Sequence, residues 1–231
     1  MEEELSWLPF LLQTSDALFP TGAYAHSLGF EECVRLGLIS SEPTLSAFLM
    51  DQIVPAQREL ELPYLRFAYE SAREGNLREL ANIDVEISAW KLARETREAS
   101  IQLGVRRLKA LREIAKAPLV EEFEQMIAEA RAHGHHLTIC GLQSVVQDVP
   151  LRAALLTFFY QSLSTVCGAA MKLIRIGQSG CQRVLREASA TAGEVVSKSL
   201  EIERATAGWF NPVLEIASMR HERAQERLFI S

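Results

Sequence analysis

The sequence predicts an all-α fold: one domain, 1–231, built as a bundle of roughly nine to eleven helices around a buried central helix. Three observations predict it. Apolar residues recur at three- and four-residue steps along most of the 231 residues. No segment shows the sustained alternation of a half-buried strand. One run without a charge, 155–171, is long enough to make a helix apolar on nearly every side, and such a helix must be surrounded. Hydrophobic residues at 48% and charged residues at 23% are ordinary for a chain that buries a substantial core.

The elements follow in order. Ser41-Glu42-Pro43-Thr44 opens a helix, and Gly75-Asn76 closes one. Ile101, Val105, Leu108, Leu111 and Ala115 form an apolar stripe, with Arg106, Lys109, Arg112 and Glu113 between them. Pro118 starts the next helix, marked by Leu119, Phe123, Met126, Ile127 and Ala130. Ala132-His133-Gly134 reads as a helix end followed by a new start, and Asp148-Val149-Pro150 separates two further helices. The central helix is 151–176, carrying Leu151, Leu155, Phe158, Phe159, Val166, Ala170 and Leu173. Part of its enclosure is expected from a second copy in a twofold dimer. Gly177-Gln178-Ser179-Gly180 breaks the chain before one long helix bearing Val184, Ala188, Ala192, Val195 and Ser199. Asn211-Pro212 supplies an N-cap and an N1 proline for the last helix.

Composition excludes several functions. A net charge of −6 and a pI near 5.5 argue against nucleic acid, whose phosphates need a clustered basic surface to neutralise them. Cys33, Cys140, Cys167 and Cys181 contain no C-x-x-C pair, so they are expected as buried free thiols in a reducing compartment. The opening Met-Glu-Glu-Glu has the wrong charge for a secretory or mitochondrial signal. Gln161, Ser162, Ser164 and Thr165 interrupt the uncharged run, which is read as a core helix rather than a membrane span. A cytoplasmic protein is expected.

Candidate chemistry is sparse. His133, His135 and His136 lie just before Cys140, and His136 and Cys140 are one helical turn apart. Imidazole and thiolate suit zinc or nickel, but a structural site normally has four ligands and no second cysteine or acidic cluster lies near in sequence. The preferred reading is a helix end, with histidines favourable to its dipole, and then a new helix start. No nucleophile motif or phosphate loop is present in the sequence. His26 and His221 read as hydrogen-bonding anchors rather than general bases. Arg106, Arg107, Lys109 and Arg112 read as a solvated basic face. Its functional alternatives are an acidic protein partner, or an arginine lent to a nucleotide-hydrolysing partner. No catalytic residue, cofactor or enzymatic activity is expected.

Two terminal segments are more specific. Pro20-Thr21-Gly22-Ala23-Tyr24-Ala25-His26-Ser27-Leu28-Gly29-Phe30-Glu31, led into by Leu12-Gln13-Thr14-Ser15-Asp16, resembles the amino-terminal signature of the urease accessory protein F family, UreF. Glu95-Thr96-Arg97-Glu98-Ala99-Ser100 with Gly104 is similar to the family's middle motif, and Ser100 and Gly104, one turn apart, permit tight helix contact. Ser218-Met219-Arg220-His221-Glu222 and Arg227-Leu228-Phe229 resemble its carboxyl end. The resemblance covers nearly the whole chain.

That resemblance implies a non-enzymatic homodimer that assembles the nickel site of urease. It implies a scaffold joining UreD (also called UreH) to the nickel-carrying GTPase UreG, acting on the urease apoprotein in a GTP-dependent step. It places partner-binding residues at Pro20, Gly22, Tyr24, His26, Ser27 and Glu31, and at Met219, Arg220, His221, Glu222, Arg227, Leu228 and Phe229. The tail 211–231 is expected to be mobile when free and to be the UreD-docking element, so truncation before Asn211 should leave a folded dimer without UreD. The alternative is a metallochaperone carrying nickel on His133, His135, His136 and Cys140. A third class is a GTPase-activating protein using an exposed arginine.

Overall fold

The computed structural model describes residues 5–16, 18–22, 27 and 29–230. The described residues form helices and no strand. Counting 42–73 as one helix, there are eleven: α1 (Leu8–Ser15), α2 (Phe30–Arg35), α3 (42–73), α4 (Leu77–Trp90), α5 (Arg94–Ile114), α6 (Pro118–Ala128), α7 (His136–Val146), α8 (Leu151–Leu173), α9 (Gln178–Ser189), α10 (Ala192–Glu201) and α11 (Pro212–His221). The expected boundaries hold at several places. Ser41 and Thr44 form a capping box, Gly75 turns the chain at φ +70°, and the Asn211 side chain accepts the Leu214 N–H at 3.2 Å.

α3 passes through two π-helical turns, Leu49–Ile53 and Gln57–Glu61. Each leads into a proline, Pro55 and Pro63. A proline ring inside a helix collides with the carbonyl four residues back and offers no N–H to it, and a widened turn relieves the collision. The Glu59 carbonyl, four residues before Pro63, accepts the Gly208 N–H at 2.8 Å instead. A Cβ at Gly208 would lie 2.3 Å from the Trp90 ring, so glycine is required for that strap to reach α3.

The enclosed helix is α7. Every residue from Leu137 to Ser144 is buried, because α3 covers one side and α5 another. Glycines set both approaches. A Cβ at Gly141 would meet the Tyr69 nitrogen at 2.8 Å, and one at Gly104 would meet the Gly134 carbonyl at 2.0 Å. The central-helix expectation is therefore corrected. α8 buries Ala154, Leu155, Phe159, Leu163, Cys167 and Ala170, but Leu156, Tyr160 and Met171 are each about half exposed. It also ends at Leu173, short of Ile176.

The single long helix expected after Gly180 is two helices, α9 and α10. Val184, Ala188, Ala192, Val195 and Ser199 are all buried as their spacing predicts. The break falls at Ala190-Thr191, where the Thr191 hydroxyl donates to the Ala188 carbonyl at 2.7 Å and competes with the helical ladder. Gly177 is the N-cap of α9, so 178–180 lie within the helix.

Candidate functional site

The three motif-bearing segments converge at one end of the bundle. α2 begins after Gly29, whose φ of +86° favours glycine. A Cβ there would lie 3.2 Å from the Leu214 carbonyl and 3.3 Å from the Ser218 nitrogen, so α2 rests directly on the α11 backbone. The Ser27 hydroxyl accepts the Glu31 N–H at 3.4 Å. From the other side, the Thr96 and Ser218 hydroxyls are 2.7 Å apart and the Ala93 N–H donates to Glu215 at 2.8 Å. Arg94 pairs with Glu222.

His221 lies at the centre, buried on all sides. Its Nε2 is 2.9 Å from Glu31 on α2, and its Nδ1 is 3.0 Å from both oxygens of Glu95 on α5. Both contacts are hydrogen bonds only when both ring nitrogens carry protons. Arg227 donates to Glu95 at 3.1 Å, and the Leu228 and Phe229 N–H groups donate to Glu31 at 2.8 and 3.0 Å. Burial raises the Glu31 carboxyl pKa, but the hydrogen bonds from Leu228, His221 and Phe229 together hold it below its usual range. Glu32, also buried, binds Arg35 and Arg220. Its carboxyl is likewise held low, first by the Arg35 hydrogen bond, against burial and with help from Arg220.

The tail therefore lies on its own domain. Phe229 is buried, with the Lys172 ammonium 5.1 Å from its ring centroid, and Leu228 and Ile230 on either side are exposed. Of the predicted docking residues, Ser27, His221 and Phe229 are buried and serve the fold. Glu31, Glu222 and Arg227 are bound within the cluster. Gly22 turns at φ +78°, with the Arg106 guanidinium 2.6 Å from where its Cβ would stand. Pro20, Met219, Arg220 and Leu228 face outward. Tyr24 and His26 lie outside the described residues. The outer face of α11 and the residue before its cap form a stripe at three-residue steps: Phe210, Val213, Ile216 and Met219, all exposed.

The supposed basic face needs a correction. Arg106, Lys109 and Arg112 are exposed, but Arg107 is buried. It donates to the Gln143 side chain at 3.0 Å and the Thr14 carbonyl at 3.4 Å, and its guanidinium lies 5.3 Å from the Phe19 ring centroid. No carboxylate pairs with it among the described residues. Its spacing was the available signal, since it falls one turn from both Gly104 and Leu111 on the inward face.

The histidine–cysteine segment does not gather as a metal site. Among the described residues, no group of three or more His, Cys, Asp or Glu side chains is placed to hold an ion. α6 ends at Ala128 and the chain reverses at Ala130, φ +56°, before α7 starts at His136. The histidines thus precede a helix start instead of lining a helix end. Asp84 on α4, fully buried, accepts the N–H groups of His133, Gly134 and His135 at 2.5, 3.0 and 2.8 Å, and the Thr138 hydroxyl at 2.7 Å. Sequence reasoning passed over Asp84 because an aspartate 49 residues before His133 carries no local signature. His135 is consumed as well, Nδ1 against Ser100 at 3.0 Å and Nε2 against Ser88 at 2.7 Å. Burial raises the Cys140 thiol pKa, which disfavours the thiolate a metal needs.

His135 makes folding sensitive to acid. Burial first of all, against the pull of Asp84, lowers its pKa to about 4. A neutral imidazole in the fold and a proton-binding one in the unfolded chain mean that stability is full above the unfolded pKa, about 6.5. It is lost as pH falls from there through about 4. The loss expected across that window is about 3 kcal/mol. Urea titrations of the protein and of His135→Asn at a series of pH values check this. The slope between pH 6.5 and 4 should flatten in the variant.

A family model described as UreF matches residues 39–189. The chain is 34% identical over 221 residues to the urease accessory protein UreF of Paenarthrobacter aurescens (strain TC1), covering 96% of each. It is 32% identical to that of Arthrobacter sp. (strain FB24), again over 96% of each chain. The UreF of Haemophilus influenzae (strain ATCC 51907 / DSM 11121 / KW20 / Rd) is 29% identical over all of this chain and 98% of its own length.

Proposed function

The chain belongs to the UreF family, whose compared members are named urease accessory proteins, and on that premise we propose a non-enzymatic scaffold for assembling the urease nickel centre. In this reading the protein joins UreD (UreH) to the GTPase UreG and presents both to the urease apoprotein, shaping the GTP-dependent insertion of nickel. The observation that carries it is the outward stripe Phe210, Val213, Ile216 and Met219. Large apolar side chains at helical spacing on an exposed face mark a docking surface. Leu228 and Ile230 are further exposed apolar side chains, carried by a tail that is already positioned, which lowers the ordering cost of association.

UreD docks on this face. Truncation before Asn211 would also strip the cover from Phe30, Glu32 and Glu95, so a surface substitution is the sharper test. Ile216→Asp should leave the far-ultraviolet circular dichroism unchanged and weaken UreD retention in a pull-down by about tenfold or more. Full retention would refute the assignment.

The open face of α8 is where a second copy of the chain docks. Leu156, Tyr160 and Met171 are exposed there, no charge falls between Arg152 and Lys172, and nothing lies within 4 Å of a Cβ at Gly168. A homodimer through this face would complete the enclosure that the uncharged run calls for. The four cysteines are free and buried, in keeping with a reducing compartment such as the cytoplasm.

A further inference from the structure

Between α5 and the tail lies a cleft of about 210 Å³. Arg94, Glu98 and Gln102 line its α5 side, and Glu222, Arg227 and Ile230 its tail side. Its charges are matched with one exception. Arg94 is bonded to Glu222, and Arg227 to Glu95, which His221 also contacts from behind. Glu98 accepts no hydrogen bond and forms no ion pair among the described residues, although it lies within electrostatic reach of Arg94. Beside it, the exposed Ile230 side chain gives the cleft apolar surface, Ala99 is buried at its floor, and Gln102 is exposed.

We infer that this cleft is a slot for a basic side chain, arginine or lysine, carried by a protein partner. An aliphatic stem lies against Ile230 while the cationic head reaches Glu98 and the Gln102 amide oxygen, the division of labour long basic side chains favour. The slot exists only while the tail is fastened, because its outer wall is tail. Two consecutive backbone N–H groups on Glu31 hold that wall. Assigning the side chain to UreD rests on the docking reading above; the slot itself does not.

The test uses the full chain and the probe acetyl-Gly-Arg-Gly-amide, followed through backbone amide resonances. Saturable shifts are expected at Glu98, Ala99, Gln102 and Ile230, abolished by Glu98→Lys and absent with the glutamate peptide. No saturable shift, or shifts that persist in Glu98→Lys, would overturn the slot. UreD affinity should fall about tenfold in Glu98→Lys, with a weaker salt dependence. If Glu98→Lys binds UreD as well as the parent while Ile216→Asp does not, the docking surface stands and UreD does not use the slot. If neither substitution weakens UreD, the docking reading fails, and the peptide titration alone decides the slot.

Discussion

Replacing Asp84 with alanine is expected to lower the stability of the fold by about 4 kcal/mol in urea denaturation. The carboxylate is fully buried and satisfies three successive backbone N–H groups and one hydroxyl. Those donors open α7, the helix every neighbouring element packs against, and water cannot replace the lost acceptor there. An unpaired buried donor costs about 1–3 kcal/mol, and four on one site do not add independently. Asp84→Asn should cost about half as much, since one amide oxygen still accepts while the NH₂ group faces other donors. Thr138→Val removes a single donor and should cost about 1 kcal/mol. A loss below about 1 kcal/mol for Asp84→Ala would show that the turn 133–135 holds itself.

Gly104→Ala should be comparably severe, at about 4 kcal/mol, with the melting temperature lowered by about 10 °C. The added Cβ would stand 2.0 Å from the Gly134 carbonyl oxygen, 2.7 Å from the His135 carbonyl carbon and 2.8 Å from the His136 nitrogen. All three are backbone atoms, so no rotamer change relieves the clash, and α5 must move off α7. That shift would also strain the Ser100 contact with His135 one turn away. Gly193→Ala on α10 is the control, because Gly193 is exposed and a Cβ there meets nothing within 4 Å; it should be neutral or stabilising by up to about 1 kcal/mol. Equal effects at the two glycines would show that the close approach of α5 to α7 does not set the cost.

Much of the fold was legible from spacing alone. The stripes on α5, α6, α9 and α10, the helix start at Ser41 and the cap at Asn211 appear where the pattern put them, except that Ala115 and Ala130 lie just past the ends of α5 and α6. Three features were not legible, each for a physical reason. α7 carries Thr138, Gln143 and Ser144 among its apolar residues, so its composition hides complete burial that glycine contacts and Asp84 make tolerable. α8 is the converse, since an apolar face reads the same whether an intramolecular or an intermolecular neighbour covers it. The cluster around His221 joins residues 126 and 190 positions apart in sequence. The motif segments drew attention to each piece, but nothing local to either foretold that Glu31 and Glu95 would share one imidazole.

The π turns of α3 carry a consequence for its phase. Each inserts one residue into a repeat of 3.6, advancing everything downstream by about 100° around the axis. Two insertions turn Leu62–Arg73 through about 200° relative to Glu42–Phe48. Residues that an even pitch would have set on one flank of the helix therefore stand nearly opposite it, without a loop. Forcing both turns back to an even pitch while keeping every residue would swing Ala68 and Tyr69 away from Gly141, so the two local irregularities are what keep this end of the core in register.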